Sequence, residues 1–101
     1  MTNITIETDR DDPKLYEWLG DDPNARKIDV DRHDSGAIVA EVETAYALWS
    51  LTLAIQNFQR SRHIDSRPNV TLVYGEESVT VAGADRGTID DFYTLLPRKT
   101  S

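Results

Sequence analysis

Between Thr44 and Gln59 the chain runs for 16 residues without a charged side chain. No proline or glycine interrupts the longer stretch from Ala37 to Arg62. Its apolar residues recur at helical spacing, with Ile38, Val42, Ala45, Trp49 and Leu53 on one line and Leu48, Leu51, Ile55 and Phe58 on a second. This pattern predicts one helix over about 37–62, which at ~1.5 Å per residue would span ~39 Å. Glu41 and Glu43 near its start, and Arg60, Arg62 and His63 at its end, would match its macrodipole. A helix that is apolar nearly all round must be covered on more than one side. Either the flanking helices complete that cover, or the second stripe (Leu48, Leu51, Ile55 and Phe58) is an interface for a protein partner or a second copy. A membrane span fits less well, because ~20 apolar residues are wanted and Gln56 and Asn57 break the run.

The remaining segments are shorter. At 101 residues the chain suits a single domain over 1–101, with an ordered core from about 3 to 97. Ile4 and Ile6 alternate with Asn3, Thr5 and Glu7, the pattern of a half-buried strand. Asp12 and Pro13 open a helix as N-cap and first residue, Leu15, Trp18 and Leu19 form its apolar stripe, and Gly20 is placed to end it. Ile28 and Val30 alternate with Asp29 and Asp31 in a second short strand, followed by a loop to Gly36. Asn69–Tyr74 and Ser78–Ala82 read as a hairpin around Gly75, Glu76 and Glu77. A last helix is expected from about Thr88, with Asp91 in its first turn, burying Ile89, Phe92, Leu95 and Leu96 before Pro97 stops it. The order β-α-β-α-β-β-α implies an α+β two-layer sandwich. Its sheet would have four strands, mostly antiparallel or mixed, with the helices on one face and the other face open.

Charge excludes several function classes. Acidic residues number 18 against 11 basic ones, a net of -7, and the whole excess lies before Thr44. Such a surface repels phosphate backbones and anionic lipid, so neither nucleic acid nor a membrane is an expected partner. The acidic first half reads either as a docking face for a basic partner or as a solvated face that keeps the protein soluble. Cysteine is absent, which removes disulfides, thiolate metal sites and Cys nucleophiles. The first residues have no basic, apolar leader pattern, so a cytoplasmic location is expected.

Little in the sequence points to catalysis. The densest cluster of titratable groups is Asp29, Asp31, His33 and Asp34, whose carboxylates and imidazole suit Mg²⁺ or Mn²⁺ in a metal-dependent hydrolase or nuclease. Asp29 and Asp31, however, alternate with Ile28 and Val30 and should project onto the open sheet face. His63 lies near Asp65, and Ser35, Ser61 and Ser66 are available hydroxyls, but no Gly-x-Ser-x-Gly elbow or phosphate-cradling glycine loop accompanies them. The expectation is a non-enzymatic chain with no cofactor and no metal. A stand-alone structural homodimer is a further alternative.

The arrangement resembles the effector-associated constant component domains of bacterial conflict systems. The likeness rests on the opening strand, Leu15-Tyr-Glu-Trp18-Leu19 with Pro23 and Arg26 behind it, and Gly36 before a long apolar helix ending in Arg60-Ser-Arg62. The hairpin from Asn69 to Ala82 and an Asp-rich last helix ending Leu95-Leu96 complete it, so it covers about Ile4 to Pro97. His33-Asp-Ser-Gly36 lacks the Pro-Gly and Met-Gly usual before that helix, and the hairpin turn lacks Asp-Gly. The resemblance implies a small adaptor in defence or signalling. Such a domain couples an effector, often a caspase-like or trypsin-like peptidase, to sensing or NTP-hydrolysing partners.

Overall fold

The computed structural model describes residues 2–8, 14–26, 28–32, 37–63, 65 and 67–96. Strand β1 (Thr2–Thr8) leads through helix α1 (Lys14–Asp21) to strands β2 (Asp29–Arg32) and β3 (Ile38–Val42). Helix α2 (Ala45–Ser61), the hairpin strands β4 (Val70–Tyr74) and β5 (Glu77–Thr80), and helix α3 (Arg86–Leu95) follow. The strands form one five-stranded sheet in the order β2-β3-β1-β4-β5. Each neighbouring pair is antiparallel. The α+β class holds, while the count of four strands is corrected to five.

The additional strand comes from the segment read as the start of the long helix. Ile38-Val-Ala-Glu-Val42 alternates between buried and half-buried positions, and three of its five residues are β-branched, which favours a pleated, half-buried surface. Ile38 and Val42 also satisfy helical spacing, so that pattern alone does not distinguish the two states. Thr44 separates them: its backbone is extended, and its hydroxyl accepts the Ala47 N–H at 3.0 Å, capping α2. The helix therefore has 17 residues and a length of ~26 Å. Glu41 lies in β3 and Glu43 in the connection, so neither complements the helix dipole; Arg60, in the last turn, does.

All three helices lie on one face of the sheet, because their buried residues and the inward residues of the strands form one cluster. Ile4 and Ile6 of β1, Ala40 and Val42 of β3, and Val70 and Leu72 of β4 meet Leu48, Leu51, Ile55 and Phe58 of α2 in that cluster. Helices α1 and α3 each pack against α2, so the middle helix is covered by the sheet below and a helix on either side. Trp18 joins α1 to α2: its Nε1 donates to the Ala54 carbonyl and to Asp22 Oδ2, both at 3.0 Å. Its ring meets Phe58 edge-on at 5.8 Å. On the other side of α2, buried Gln56 donates to the carbonyls of Val81 and Ala84, and Gln59 donates to that of Pro68.

Smaller features refine the expectations. Gly20 lies inside α1 instead of ending it, because the helix continues to Asp21. The Asp12–Pro13 start and the Pro97 stop lie outside the described residues. The hairpin is present with a tighter turn than expected: Tyr74 pairs with Glu77, leaving Gly75 and Glu76 as a two-residue loop. Gly75 adopts φ 60° at the first loop position, where a glycine carries little steric cost. Helix α3 starts earlier than Thr88. Asp85 is its N-cap and accepts the Thr88 N–H at 2.8 Å. Leu95 is 59% exposed and so is not core, whereas Leu96 is buried.

Two measurements follow from this packing. Leu51→Ala and Phe58→Ala should each cost about 2–5 kcal/mol in urea unfolding, because both side chains are enclosed and the surroundings collapse incompletely. A cost under 1 kcal/mol would show that α2 is covered more loosely than described. The second concerns pH. The backbone N–H and then the hydroxyl of Thr88 hold the Asp85 carboxyl below its usual 3.8. A depressed acid contributes its stability above the unfolded value and loses it as pH falls through the lower folded value. The stability advantage of the native chain over Asp85→Ala should therefore be flat above pH 5 and shrink below 3.8. An advantage unchanged down to pH 2 would contradict the charged cap.

Candidate docking surface

The four residues proposed for a partner interface do not reach the surface. Leu48, Leu51 and Ile55 are 0% exposed and Phe58 is 2% exposed. The second apolar stripe of α2 is therefore ordinary core, closed over by the sheet and the two flanking helices. A charge placed at any of the four would be stranded without water or a partner, so it would unfold the chain instead of merely blocking association.

Among the described residues, the face left uncovered belongs to the sheet. Alternation along β1 sends Ile4 and Ile6 inward and Asn3, Thr5 and Glu7 outward. Register then extends the outward set across the strands. Thr5 lies opposite Val39 on one side and Val73 on the other, with Asp31 beyond Val39 and Ser78 beyond Val73. This central row has valine, threonine and valine in the middle, all half-buried, and an aspartate at one end. The next row toward the β3 C-terminus is Asp29, Glu41 and Asn3. The row on the other side contains Glu7, Thr71 and Thr80.

Asp29 and Asp31 do project onto this open face, as their alternation predicts. With Glu41 and Glu7 they place four carboxylates there. No described lysine or arginine shares the face. Arg62 covers the Phe58 ring at 4.9 Å, Lys14 lines the α1–α2 groove, and Arg86 pairs with Asp90 on α3. Arg60 and Arg67 border a cleft beside Gln56 and Gln59, and Arg26 borders another beside Tyr46. Arg32 lies opposite Ile38 and so belongs to the inward set. The molecule is thus polarised, with its described cations on the helical side and an anionic, valine-centred sheet surface behind. Asp29 stands directly opposite Glu41, an arrangement that destabilises a strand pair.

The other sequence candidates are less connected. His33 and Asp34 lie outside the described residues, and among the described residues no group of three or more His, Asp or Glu side chains could hold a metal ion. His63 and Asp65 approach to 3.8 Å with both side chains largely exposed. Ser61 donates to the Phe58 carbonyl at 2.6 Å, while Ser35 and Ser66 lie outside the described residues. On the helical side, Tyr46 is 68% exposed beside a cleft of about 520 Å³ lined by Pro23, Arg26 and Ile28. No described helix is long and apolar enough to cross a membrane. In comparison with known proteins, no family model, no curated protein and no solved structure matches the chain.

The sequence reading missed Val39 and Glu41 because it assigned both to a helix. The available signal was the alternation of Ile38, Ala40 and Val42 against them. The opposed carboxylates give a direct check. Glu41→Gln should raise stability by about 0.2–1 kcal/mol, and Asp29→Asn should do the same. The double variant should gain less than the sum, since either change alone relieves the repulsion. Urea unfolding measures all three, and a loss of stability in both single variants would show that the carboxylates are not in conflict.

Proposed function

We propose that this chain is a non-enzymatic protein–protein interaction module. In this reading it is an adaptor that couples an effector, such as a caspase-like or trypsin-like peptidase, to other components of a bacterial defence or signalling system. The observation that carries the interaction reading is the uncovered sheet face with Val39, Thr5 and Val73 across its centre. An antiparallel sheet tolerates water on one face, but polar residues would serve that purpose. Two half-buried valines flanking the central strand instead offer apolar area that a partner can remove from water. The link to a defence system rests on the resemblance to effector-associated constant component domains, whose implied role needs a recognition surface and no active site. The interface is placed here on the sheet face, in place of Leu48, Leu51, Ile55 and Phe58.

Gentle co-purification of a tagged chain from its native host tests the proposal. A peptidase or NTPase should be recovered at near-stoichiometric yield and lost with Val39→Arg, whose unfolding midpoint is checked separately. Recovery of the chain alone, running as a dimer by light scattering, would overturn the adaptor reading.

A further inference from the structure

We infer that the open sheet face receives a cationic, arginine- or lysine-bearing protein segment, with its basic side chains on Asp29, Asp31 and Glu41. The inference rests on the interaction-module reading and specifies the chemistry of its partner. Three observations converge on a cation. All the described charged residues on this face are acidic, and the described cations are gathered on the opposite side. Asp29 and Glu41 are directly opposed across β2 and β3, so each is held near a like charge that an incoming cation would neutralise. The third is spacing. Neighbouring strands lie ~4.8 Å apart and alternate residues on one strand ~6.7 Å apart. The three residues therefore occupy adjacent register positions, with Asp29 and Asp31 exposed and Glu41 half-buried, within reach of two adjacent basic side chains.

Charge also separates this occupant from its competitors. A second copy seated on this face would add carboxylates of the same sign and no described cation, which like-charge repulsion disfavours. Nucleic acid is repelled for the same reason. A bare metal ion lacks a three-ligand group among the described residues. A protein segment with alternating basic and apolar residues satisfies both parts of the surface: its cations meet the acidic corner while its apolar side chains cover Val39 and Val73. The half-buried position of Glu41 makes its pairing less exposed to salt than that of a rim carboxylate.

The test places a photo-crosslinking residue at Thr5, and in separate chains at Tyr46 and Leu95, in the native host, followed by identification of the crosslinked peptide. The isolated partner is then titrated against the native chain and against the Asp29→Asn, Asp31→Asn, Glu41→Gln triple variant at 50 and 300 mM NaCl. The expected result is a Thr5 crosslink to a segment bearing arginine or lysine, with affinity at least about tenfold weaker in the triple variant at low salt and a flatter salt dependence. The triple variant should melt at or above the native temperature, so the loss cannot come from unfolding. A Thr5 crosslink with affinity unchanged in the triple variant overturns the cationic assignment and leaves the module reading standing. Crosslinks from Tyr46 or Leu95 alone move the interface to the helical side and overturn this inference in the same way. Crosslinks from none of the three positions overturn both.

Discussion

The run from Thr44 to Gln59 carries no charge, and the other elements are arranged to keep water from the inner side of α2. The sheet covers one side and α1 and α3 cover the flanks. Each large side chain so enclosed contributes about 1.5–3 kcal/mol, which makes Leu48, Leu51, Ile55 and Phe58 the main attachment between the two layers. The polar residues of α2 reinforce the same arrangement. Gln56 and Gln59 use their amides on the carbonyls of Val81, Ala84 and Pro68, fixing the ends of the β4–β5 hairpin against the helix. Trp18 does the equivalent for α1 through the Ala54 carbonyl. Hydrophobic cover is not directional, so these bonds are what select one placement of the neighbours over another.

The parts of this fold that were legible in the sequence are those whose information is local. The alternation around Ile4 and Ile6 and the hairpin about Gly75 predict their strands, and the outward projection of Asp29 and Asp31 follows from the same period of two. Strand β3 was hidden because Ile38 and Val42 are four apart, a spacing that helix and strand patterns can both accommodate over so short a run. The distinguishing residue, Thr44, is followed three positions later by Ala47 instead of the Glu or Gln that marks a capping box. Asp85 was overlooked for a related reason: Thr88 has a good capping side chain of its own, but its N–H is the donor that Asp85 receives. The Val39–Thr5–Val73 row depends on β1 lying between β3 and β4. That order joins residues more than thirty positions apart, and no local pattern encodes it.

Misplacing the boundary of α2 had a functional consequence. With β3 read as helix, the surplus of apolar residues belongs to one long cylinder, whose second stripe either packs under the flanking helices or serves as an interface. Once five residues move into the sheet, the helix shortens and its two neighbours suffice. On the opposite side of the molecule the sheet keeps Val39 and Val73 half-buried, while Tyr46 and Leu95 stay exposed on the helical side. Burial thus converts the same observation, an excess of hydrophobic residues near the middle of the chain, from a statement about α2 into one about the sheet.

An open face on an antiparallel sheet is not by itself a sign of recognition, since many such sheets are solvated on one side. What separates this one is the combination of valines at its centre with carboxylates set against each other at its β2–β3 side. Solubility alone would be served by charges of both signs, which would also remove the Asp29–Glu41 conflict. A single sign has two consequences that a mixed surface lacks. It holds copies of the chain apart, at the face and along the β2 edge, where Asp29, Asp31 and Arg32 discourage strand-to-strand pairing. Among the described residues it also leaves the face with no basic side chain that an incoming cation would have to displace. On the proposed reading, one charge pattern works against self-association and for a basic partner, and the small stability lost between opposed carboxylates is what an incoming positive charge would restore.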